Sequence, residues 1–230
     1  MKAILTFLIL AFLLPINAQE CSKYYMQTPG KQLLIYQYDK RGRHELTTVY
    51  QVKEVIPEAG GHRLLIDMQL LDAKKRNELI VQGGFEAICS LGSTSIEPRS
   101  MLAPGLFEQY NDMEYEIAGD NLTMPNDLEV GQLLPEAQVT MKVNVGGIGI
   151  KTQVIRKDQT IVRQETLTTP AGTFNCYVMT YTNILKVGLS KTYYTTVWLA
   201  EGIGMVKEET RKANGRLVTY SVLNNISDIE

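Results

Sequence analysis

Polar and apolar positions alternate most clearly near the C-terminus. In Tyr193–Leu199, Tyr194, Thr196 and Trp198 fall on one face, and Thr195, Val197 and Leu199 on the other. Glu201-Gly202 interrupts this strand, and Met205 to Thr210 forms the next. Asn214-Gly215, a pair that tolerates positive φ, turns the chain into a third strand from Leu217 to Leu223. Upstream, Val139, Met141, Val143 and Val145 alternate with Thr140, Lys142 and Asn144. Gly146 to Ile150 reads as flexible or bulged. Lys151 to Lys157 and Thr160 to Thr168 read as two strands flanking Asp158. Thr169-Pro170-Ala171-Gly172 has the proline and glycine placement of a type I turn, and Thr173 to Leu185 returns as a long strand.

The first half repeats the theme with weaker alternation. Strands are predicted over 33–38, 45–56 and 63–71. Residues 78–81 and 85–89 read as one strand with a bulge or bend at Gly83-Gly84. Met113 to Ile117 is a further strand. The stretch 98–111 predicts the one helix, near 103–111, with Pro104 in its first turn and Leu106, Phe107 and Tyr110 on one side. Breaks follow at Gly119 to Asn121 and at Met124 to Asn126, and 130–135 reads as a crossing between two halves. About twelve strands joined by short links imply an all-β antiparallel meander. A sheet of that size forms a strongly curved sheet, a half-open barrel or two stacked sheets.

The N-terminus stands apart from this pattern. Met1-Lys2, an apolar run from Ala3 to Leu14 and Pro15 to Ala18 make a three-part secretory signal over 1–18. Residues 19–230 are then a single β-rich unit, with halves at about 19–118 and 136–230 joined by 119–135. Cys21 raises a lipid-anchored alternative, but Glu20 stands where a small residue is needed. The rest of the chain has no apolar run long enough for a membrane helix.

The net charge of −2 is dispersed along the chain without a basic stripe, which gives no indication of nucleic acid. Export permits a disulfide among Cys21, Cys89 and Cys176. Cys21 with Cys89 is the favoured pair, because it ties the N-terminus while Cys176 packs in a strand. The cysteine spacings and two histidines do not make a usual zinc site, and no cofactor signature is present.

Asp39, His44, Glu45 and His62 are the candidate acid–base set. Their turn positions favour solvated hairpin residues instead. No serine lies in a nucleophile-elbow pattern, and Gly146-Gly147-Ile148-Gly149 leads into a strand rather than a phosphate-binding helix. Tyr177, Tyr181, Tyr194 and Trp198 form an aromatic group that is either core or the ligand-facing wall of a cavity.

Residues 169–177, the run Trp198 to Lys207, Gly215 to Leu217, 130–137 and the early Cys21 together resemble the TapB-like secreted proteins of Bacteroides-type bacteria. These are related to a broader domain-of-unknown-function family. The resemblance implies an exported β-rich protein of a Gram-negative envelope, periplasmic, outer-membrane associated or extracellular, and supplies no catalytic residues. The functional expectation is a non-enzymatic protein that binds an apolar or amphipathic ligand, such as a lipid, or an envelope protein on a concave sheet. The alternatives are a hydrolase of envelope or host polymers and an assembly factor that uses a sheet edge.

Overall fold

The computed structural model describes residues 23–102, 104–110 and 113–228. The expected secretory signal and Cys21 lie outside them. The strands are β1 (Lys31–Asp39), β2 (His44–Glu58), β3 (Gly61–Asp72), β4 (Glu78–Ser90), β5 (Ser93–Ile96), β6 (Tyr115–Gly119) and β7 (Leu122–Pro125). The second half supplies β8 (Ala137–Val145), β9 (Ile148–Thr169), β10 (Gly172–Val187), β11 (Leu189–Ala200), β12 (Gly204–Lys212) and β13 (Leu217–Asp228). All thirteen belong to one sheet in the order β6-β8-β9-β10-β11-β12-β13-β1-β2-β3-β4-β5-β7, and every pairing in it is antiparallel. A single open sheet is thus formed, not two stacked sheets.

The topology itself demands curvature. Laid flat, thirteen strands at ~4.8 Å spacing would put the edge strands about 58 Å apart. Yet the edge strands β6 and β7 are separated only by Asp120 and Asn121, a link that reaches about 10 Å. The sheet must therefore roll until its edges approach. The link is fastened to both sides: Asp120 N–H donates to Gln138 O of β8 at 2.8 Å, and Asn121 Nδ2 donates to Ser95 Oγ of β5 at 2.8 Å.

Several strand boundaries differ from the sequence pattern. β9 does not stop at Asp158; it runs on with Asp158 at φ 56° while its register with β10 shifts between Thr180 and Thr182. β4 is continuous through Gly83-Gly84, which pair with Met68 and Asp67 without a register shift. Gly84 is needed for close approach, since a Cβ there would lie 2.8 Å from Ile66 O. β5 and β7 are strands that the pattern does not show. Each has four residues, too few to reveal a period, and they pair with each other, with Pro125 on the sheet edge where no ladder donor is required. The helix α1 (Pro104–Gln109) starts at the expected proline, preceded by a 3-10 turn over Pro98–Met101.

Hairpin ends follow turn chemistry. The tip after β1 and the tip after β12 share one bonding scheme. Asp39 N–H donates to Arg43 O and Gly42 N–H to Asp39 O, as Lys212 N–H donates to Arg216 O and Gly215 N–H to Lys212 O. Of the Asn214-Gly215 pair, Gly215 takes the positive φ, 77°. The β11–β12 turn has positive φ at Gly202 and Gly204, as that tight reversal requires.

Candidate functional site

One register line crosses the inner wall. Gln37 of β1 faces Ser221 of β13, Ser221 faces Glu208 of β12, Glu208 faces Val197 of β11, and Val197 faces Met179 of β10. All five residues line a cavity of about 710 Å³. Its walls are mainly apolar: Leu33, Ile35 and Val52 on one side, Ile66, Phe85 and Ile96 beyond them, and Leu102 and Phe107 from the helical segment. Tyr24, Tyr25 and Met26, on the lead-in to β1, line it at the β11–β12 turn, where Gly202 N–H donates to Lys23 O at 2.5 Å. At the other end the lining reaches Leu46, Leu70 and Ile80, beside the β3–β4 turn.

Into this apolar space β9, β10 and β12 bring three polar side chains. The Arg156 guanidinium lies 4.3 Å from the centre of the Tyr181 ring, and the Tyr181 hydroxyl donates to Glu208 Oε2 at 3.2 Å. Arg156 Nε is buried without a hydrogen-bond partner, and so is Oδ1 of Asn183, its register partner on β10. Burial pushes the Glu208 carboxyl above its usual range, against the opposing pull of Arg156 and the Tyr181 hydroxyl. Burial also raises the phenols of Tyr25, Tyr50 and Tyr181; Tyr50, which faces Glu208, is pushed up to about 12. Arg99 is a second cation in the lining; it stacks 4.6 Å from the Phe107 ring centre.

Of the four aromatic residues singled out in the sequence, Tyr181 lines this cavity. Trp198 does not. Its neighbours Val197 and Leu199 point inward, so the indole points the other way, where it is buried, donates Nε1–H to Glu165 and lies 4.5 Å from Lys207 Nζ. Tyr177 lines a smaller polar recess of about 410 Å³ with Glu165 and Glu201, and its ring meets Tyr24 edge-on at 5.7 Å. Tyr194 is about half exposed on the outer face.

The imagined acid–base set is not assembled. Asp39 is held by Arg43, whose backbone N–H and guanidinium bring its carboxyl down to about 2. His44 stacks on Tyr36 at 4.2 Å and contacts Leu46 O and Thr47 Oγ1. Glu45 accepts from Lys74 at 2.7 Å. His62 sits at the opposite end of the strands, paired with Pro57 and Cys89. Cys89 is disulfide-bonded, whereas Cys176 is a buried free thiol raised to about 11 by burial. No helix among the described residues is long and apolar enough to cross a membrane.

Arg156 and Glu208 escape sequence reading because both sit in charged runs that look solvated. A signal does exist: Arg156 shares its parity with Thr152 and Val154, both buried, and Glu208 shares its parity with Val206, also buried. A charge on an apolar parity marks an inward-facing group.

The structure thus defines a class: an open, strongly curved antiparallel sheet wrapped around an apolar cavity with a few converging polar groups. The chain belongs to the DUF3108-like family, which matches residues 28–223. Two solved structures share the fold. One, from Bacteroides fragilis and described as an exported protein with a YmcC-like fold, is 22% identical, has a TM-score of 0.74 and covers 90% of this chain and 100% of its own. The other, from Parabacteroides distasonis and described as a lipoprotein, is also 22% identical, with a TM-score of 0.75 and the same coverages. No curated protein sequence matches the chain.

Proposed function

We propose that this protein binds one amphipathic molecule with an acidic headgroup in the hollow of its sheet. The supporting observation is Arg156, a cation whose buried Nε lacks a partner, set in a cavity of about 710 Å³ with apolar walls. A hydrocarbon chain would fill the apolar length, and the anionic head would complete the guanidinium's hydrogen bonds. Burial works against the charged form of Glu208, which favours Arg156 as the anchor for an anionic head. The rest of the reading is that residues 1–18 direct export to the envelope, that residues 19–230 act as one unit, and that the chain is TapB-like within its family. Cys21 is proposed as the partner of Cys89, being the cysteine left once Cys176 is free.

Palmitate, with hexadecanol as its uncharged counterpart, tests the ligand reading on delipidated protein. Palmitate is expected to bind, and Arg156→Gln to weaken it by about 10–100-fold, corresponding to a charge-assisted hydrogen bond of ~1.5–3 kcal/mol. Hexadecanol should be unaffected by the substitution. Failure of both probes to bind would refute the cavity as an amphiphile site; equal effects on both would refute Arg156 as the anchor.

A further inference from the structure

In an antiparallel meander the turns alternate between two ends. The turns at 39–44, 72–78, 145–148, 187–189 and 212–217 share one end, and those at 58–61, 90–93, 169–172 and 200–204 the other. The second set contains no Lys or Arg. The first contains Lys40, Arg41 and Arg43, then Lys74, Lys75 and Arg76, and then Lys212 and Arg216, all exposed. Charge that looks dispersed along the chain is therefore gathered in space.

At this same end, the neighbouring β8–β9 and β10–β11 tips present apolar side chains. Ile148 is 71% exposed, Val187 45% and Leu189 82%. Lys151, Lys186 and Lys191 flank them, all exposed, and among the described residues none of the three has an ion-pair partner. Neither 137–157 nor 166–200 contains an Asp or Glu. Along the ladder Glu116 faces Lys142, which in turn faces Lys151, and the Glu114 carbonyl accepts from Asn144 N–H.

We propose that this end docks on a lipid bilayer surface carrying anionic headgroups. Solvation alone accounts for lysines on hairpin tips but not for three large exposed apolar side chains between them. The combination matches an interface at which lysines meet headgroup phosphates and apolar tips enter the acyl boundary. The bilayer supplies both halves of that chemistry, whereas nucleic acid or an acidic protein surface would use the lysines and leave the apolar tips wet. The cavity lining also reaches this end at Leu46, Leu70 and Ile80, so docking would bring the cavity to the source of an amphiphile. The proposal rests on the surface alone and stands whether or not the cavity takes palmitate.

Co-sedimentation of the mature chain with vesicles of phosphatidylcholine, alone or mixed with phosphatidylglycerol, is the test. Binding is expected to the mixed vesicles only, weakening with salt. The triple variant Lys151→Gln, Lys186→Gln, Lys191→Gln should lose about 100-fold, at roughly fivefold per lysine. Ile148→Asp with Leu189→Asp should also abolish binding. Leu91→Asp, at an 84% exposed tip of the other end, should leave it unchanged. No binding, or equal binding to both vesicle types, would overturn the proposal. So would binding of a DNA oligonucleotide and of the mixed vesicles with no effect of the aspartates, which would make the end a general polyanion surface. All six positions are exposed, and circular dichroism would check that the variants fold.

Discussion

Glu208 is the residue whose environment has the most direct experimental consequence. Its carboxyl titrates higher in the folded chain than the ordinary 4.5, chiefly because burial penalises the charged form. The folded state therefore holds the proton more tightly than the unfolded state. The associated stability is fully present below about pH 4.5 and is lost as pH rises through the folded-state value. Arg156, Tyr181 and Tyr50 are the groups that face it. Thermal melts across this range should show Glu208→Gln gaining on the parent protein as pH rises, with the two converging in acid. Parallel pH profiles would show that the carboxyl is not desolvated as described. Neither this residue nor Arg156 was legible as a site in the sequence. Their shared parity with Val154 and Val206 gives the direction each side chain points, but that the two meet across β10 and β11 is set by the register, which the sequence does not show.

At the scale of the element, the β11–β12 hairpin was the most legible part of the chain. Strict alternation fixed its faces, and the glycines fixed its reversal. Trp198 is 6% exposed, and truncation to Ala should cost about 3–5 kcal/mol in denaturant melts. Because the indole lies outside the cavity, palmitate affinity of the folded fraction should not change. The two turn glycines differ in an instructive way. At Gly202, with φ 75°, an added Cβ meets nothing within 4 Å, so Gly202→Ala should cost only the left-handed penalty of ~1–2 kcal/mol. At Gly204, φ is 97° and the Cβ would lie 3.0 Å from Tyr24 O, so Gly204→Ala should cost more. The reverse order would mean that the lead-in segment does not pack on this turn. By contrast β5 and β7 were illegible, because four-residue strands owe their existence to each other rather than to their own pattern.

For the whole molecule, the fold class follows from many short links, but the closure does not. Nothing in either half of the sequence indicates that β1 pairs with β13, at the middle of the sheet. There Lys31 is the register partner of Asp228, and their side chains form an ion pair at 2.6 Å. This seam has a consequence for the order of folding. Among the described strands β13, which closes the seam with β1, comes after all the others in the chain, so the sheet cannot close around its hollow before β13 has been made. A chain ending at residue 216 should accordingly be as protease-sensitive as the unfolded protein, and adding a peptide of residues 217–228 should restore protection; a truncated chain already protected would disprove that order. The open form would then persist until residues 217–228 have been made, which makes β13 a timer as well as a seam.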